Sequence, residues 1–171
     1  MALDKSKLKT ELENWMSSTY DNITDAANAF ADAYEIYALD AIDISGDSPD
    51  TLNKAGIVSA FKSLTTSETP ATSAIKFEAG LVAYFTGGTF LLTIPPAGTI
   101  LPEISAIVTA SIIPPAISAT LTTIFTNTSD DVSTKATQMS DLFDTATKLV
   151  TATCTGTLAI GGTLPVLGPI T

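Results

Sequence analysis

Between Ala79 and Ser129 the chain carries one charged side chain, Glu103, and from Leu149 to Thr171 it carries none. Segments this poor in charge do not face water along their whole length. They pack into a core, lie between subunits, or enter a membrane. The remainder is different in kind. Residues 1–78 hold six of the eight lysines and 13 of the 18 acids, and a second charged stretch runs from Asp130 to Lys148. A length of 171 residues suits a single domain. Within it the reading separates a helical part, 1–86, from an apolar part rich in Thr, Pro and Gly, 87–171.

The kinds of charge exclude several functions. All eight basic residues are lysine, there is no Arg or His, and the net charge is −10. Such a chain offers no basic footprint for nucleic acid. It lacks the commonest general base and the commonest metal ligand. Its single cysteine, Cys154, cannot form an internal disulfide or a thiolate cluster. These absences argue against an enzyme and against a cofactor.

Periodicity organises the first half. Leu8, Leu12, Trp15, Thr19, Ile23, Ala27, Phe30, Tyr34, Tyr37 and Ala41 recur three and four apart, which is one helical face. Ser6 is a candidate cap, and Ser17 to Asn22 is a weak point in the helix. Ser48-Pro49 predicts the start of a second helix running to about Thr66, and Thr69-Pro70 a third running to about Phe85. Ala55-Gly-Ile-Val-Ser-Ala-Phe61 resembles Ala79-Gly-Leu-Val-Ala-Tyr-Phe85, as two similar core helices would. Later, residues 104–113 and 151–160 are β-branched and partly alternating, which predicts strands. A helix is expected from Pro115 to about Thr126. Another follows Asp130 and Asp131, with Val132, Ala136, Met139, Phe143, Ala146 and Val150 on its apolar face. The expected fold class is α+β: about three helices, then mixed strands and helices with a Thr-rich β tail.

Candidate sites are few. Asp40, Asp43, Asp47 and Asp50 cluster, but Ser48 and Lys54 stand where a calcium loop needs Gly and Glu. Cys154 reads as a small strand residue, Glu103 as a turn acid beside Pro102, and Trp15, Tyr34 and Tyr37 as core. No catalytic, cofactor or metal residue is assigned. What needs a partner is the apolar half. Pro-Pro pairs interrupt its charge-free stretches, and Lys and Arg do not flank them as they would a membrane span. The expected contacts with other copies or neighbouring proteins are Phe90, Leu91, Leu92, Ile94, Ile104, Ile107, Ile112, Leu158, Ile160, Leu164, Val166 and Ile170. A membrane-inserted small protein, such as a phage holin, is the alternative.

Three features resemble the small structural proteins of tailed bacteriophages. They are the segment Phe30-Ala-Asp-Ala-Tyr-Glu-Ile-Tyr-Ala38, then Ala83-Tyr-Phe-Thr-Gly-Gly-Thr-Phe90 with its Pro-Pro-Ala-Gly turn, and the last helix followed by Gly161-Gly-Thr-Leu-Pro-Val-Leu-Gly-Pro-Ile170. The resemblance implies a non-enzymatic virion component of tail, baseplate or neck, present in many symmetric copies. It would be made in the host cytoplasm rather than secreted, since no signal-peptide pattern opens the chain. The acidic balance argues against contact with packaged DNA.

Overall fold

The computed structural model describes residues 3–41, 49–86, 88–92, 104–109, 116–154 and 166–169. In chain order the elements are α1 (Lys5–Ser17), α2 (Ile23–Ala38), β1 (Pro49–Thr51), α3 (Lys54–Lys62), α4 (Pro70–Phe85), β2 (Gly88–Leu92), β3 (Ile104–Thr109), α5 (Ala116–Thr126), α6 (Val132–Lys148), β4 (Thr151–Cys154) and β5 (Val166–Pro169).

Each helix begins where a side chain satisfies its first free N–H groups. Asp4, not Ser6, caps α1, its carboxylate accepting from the Ser6 N–H at 2.9 Å. The Leu8–Ala41 face divides at Ser17–Asn22, and the Asn22 side chain opens α2 by accepting from the Asp25 N–H at 3.0 Å. The start expected at Ser48-Pro49 is corrected: Pro49 lies in β1, and Asn53 opens α3 by accepting from Gly56 N–H at 3.1 Å. Thr69 caps α4 with Pro70 in its first turn, and Asp131 caps α6. The first turn of α5 receives a group from another helix. Glu78 Oε2, on α4, accepts the Ser118 N–H at 2.8 Å.

The helices pack as neighbours: α1 on α2 and α6, α2 on α3, α3 on α4, α4 on α5, and α5 on α6. At the centre is an aromatic cluster. Phe30 and Phe61 stack with centroids 4.3 Å apart, and Phe77 and Phe143 meet Phe30 edge-on. Trp15 packs edge-on against Phe30, Phe61 and Phe77, and its indole N–H donates to the Ala26 carbonyl at 3.0 Å. Leu8, Leu12, Ile57, Leu81, Leu121 and Met139 fill around the rings.

The α3–α4 contact uses the two similar segments. An added Cβ at Gly56 would sit 2.8 Å from the Ala83 Cβ, and one at Gly80 would sit 3.2 Å from the Ala60 Cβ. Each glycine thus opposes a small residue of the other segment, which lets the two backbones approach closely.

The α+β expectation is overturned: the fold is helical. Six helices supply the described core, and α5 and α6 occupy much of the half read as mixed. The strands are short antiparallel backbone pairings of three to six residues, from β1 through β5 in sequence order. Of the expected Thr-rich β tail, only Thr151–Cys154 and Val166–Pro169 are among the described strands. The physical reason is that the described core is built from helix faces, while the segments read as strands, 104–113 and 151–160, supply among the described residues only the short pairings Ile104–Thr109 and Thr151–Cys154. Thr122, Thr126, Thr137, Thr145 and Thr147 each donate a side-chain hydroxyl to the carbonyl four residues back, at 2.7–2.8 Å. In that arrangement the hydroxyl is satisfied inside a helix, and β-branching alone does not force a strand.

Candidate functional site

The most concentrated polar chemistry is buried where α2 meets α6. Tyr34, Tyr37 and Tyr84 are fully buried, and Thr147 and Asp144 are 1% and 8% exposed. Thr147 Oγ1 donates to the Phe143 carbonyl at 2.7 Å, so the Tyr34 hydroxyl, 2.6 Å away, donates to Thr147. Tyr37 donates to Asp144 Oδ1 at 2.8 Å, and Lys148 donates to Asp144 Oδ2 at 2.7 Å. Asp144 is therefore a buried carboxylate with a partner on each oxygen. Burial raises the tyrosines above their ordinary range. For Tyr37 the neighbouring Tyr34 and Asp144 add to the rise. The Tyr84 hydroxyl is buried without a hydrogen-bond partner among the described residues.

This cluster joins phenol, hydroxyl, carboxylate and ammonium groups. Its hydroxyls are protonated at neutral pH, and its carboxylate is engaged on both oxygens. It fastens two helices together. Sequence reasoning missed the pairing because the partners are more than 100 residues apart. The signal present was that Ser140, Asp144 and Thr147 fall on the buried side of α6.

Lysines tie the exterior. Lys54 spans Asp32 and Glu35, and hydrogen bonds to these two carboxylates raise its ammonium above the usual lysine range. Lys7 meets Asp40 at 2.7 Å, Lys5 meets Asp141 at 2.6 Å, and Lys76 pairs with Glu68. Surface grooves of about 480, 460 and 440 Å³ lie along α3, between α5 and α6, and along α4. Their linings are lysine, amide, hydroxyl and aliphatic groups, with Asp141 in the second and Glu78 in the third. Asp141 faces Lys5, and Glu78 holds the start of α5.

The residues expected at subunit contacts fall in two groups. Phe90, Leu91 and Leu92 lie on β2, Ile104 and Ile107 on β3, and Val166 on β5. The register sets Phe90 opposite Ala106 and Leu92 opposite Ile104. Ile94, Ile112, Leu158, Ile160, Leu164 and Ile170 lie outside the described residues. So do Asp43 and Asp47 of the acidic cluster and Glu103. Among the described residues no group of three or more His, Cys, Asp or Glu is placed to hold a metal. None of the described helices is long and apolar enough to cross a membrane.

No protein-family model, curated protein or solved structure matches the chain.

Proposed function

We propose that this chain is a non-enzymatic structural subunit of a multi-copy assembly, a virion component of the tail, baseplate or neck of a tailed bacteriophage. The observation that carries the reading is how the chain divides its apolar residues. The helices close a core of their own between Leu3 and Val150. Several of their buried polar groups fasten helix to helix. Yet residues 88–102, 104–113 and 149–171 add many aliphatic side chains without a single charge. A subunit that covers such segments with neighbouring copies explains why few charges are needed. The likeness in style to small phage structural proteins supports the identity of the assembly. The competing reading, a membrane-inserted small protein, receives no support from the described helices.

Sedimentation equilibrium of the full chain, without detergent, tests the proposal. Expected is a mass that is a multiple of the 17.7 kDa protomer and grows with concentration. A chain that stays monomeric at high concentration sinks the assembly reading. Recovery only in detergent favours the membrane alternative.

A further inference from the structure

We draw no further inference here: the strongest candidate, the outer face of α4 that carries Ile75, Ala79, Val82 and Thr86 beside a shallow groove, is an unpartnered helix face, and nothing in the structure shows what covers it.

Discussion

Four tyrosines occur in the chain, and three of them share one buried region with different fates. Tyr37 keeps a buried carboxylate satisfied, whereas Tyr84 buries a hydroxyl that has no partner among the described residues. Removing the two hydroxyls therefore has opposite consequences. Tyr37→Phe leaves Asp144 with Lys148 alone and is expected to lower stability by roughly 1–3 kcal/mol. Tyr84→Phe removes an unpaired group and is expected to leave stability unchanged or raise it by about 1 kcal/mol. Urea unfolding of both variants checks the contrast, and equal losses would contradict it. The same burial sets an alkaline limit. An unfolded chain releases phenolic protons near pH 10, approximately the ordinary tyrosine value. The folded chain holds them at Tyr34, Tyr37 and Tyr84. Their contribution is complete below that pH and falls above it, by about 1.4 kcal/mol per pH unit for each tyrosine. Expected in an alkaline titration is phenolate absorbance from these three rising together with loss of helical ellipticity. Ionisation of all three while the helices persist would refute their burial.

At the scale of elements, local signals were legible and their consequences for class were not. Thr69-Pro70 and Asp131 mark helix starts in the sequence and open α4 and α6 in the structure. Ser48-Pro49 carries the same signature but does not start α3. A proline fits an edge strand as well as a first helical turn, and only Asn53, reaching Gly56, settles the choice. The class was misread because the β-branched segments 104–113 and 151–160 were weighed equally with the helices, whereas the described core is built from helix faces, α5 and α6 among them as expected. The buried α2–α6 bonds were not legible because a single sequence shows spacing along a chain, not which distant faces meet. The repeated Ala-Gly segments were visible, but their mutual contact was not. That contact makes a prediction about α3 and α4. Alanine is favoured over glycine within a helix by about 1 kcal/mol. At Gly80 the new methyl would meet the Ala60 Cβ at 3.2 Å, so Gly80→Ala is expected to be near neutral. At Gly56 it would meet the Ala83 Cβ at 2.8 Å and the Ala83 backbone carbon at 3.1 Å, neither of which can rotate away. Gly56→Ala is expected to destabilise by about 1–3 kcal/mol as the helices are forced apart. Thermal unfolding of the pair decides this; a stabilised Gly56→Ala would mean that α3 and α4 sit farther apart.

For the molecule as a whole, charge and apolar surface pull in opposite directions. Copies that each carry ten net negative charges repel at low ionic strength. Apolar segments without charge attract whatever covers them. Salt screens the first effect over roughly 10 Å at 0.1 M and leaves the second largely intact. Self-association is therefore expected to strengthen as salt is added, opposite to an assembly held by ion pairs. The tail is the sharpest place to test this, because residues 158–171 are free of charge and follow the last described helix. The described core draws on side chains from Leu3 to Val150, so removing 158–171 is expected to leave the helices and their tyrosine cluster intact. Helical ellipticity and the alkaline transition of the shortened chain would then match those of the full chain, while its salt-promoted association would be lost. A shortened chain that associates as well as the full one would show that the tail is not a subunit contact. One that loses its helices would show that the tail belongs to the fold of its own chain, and the apolar half would then need no neighbour to cover it.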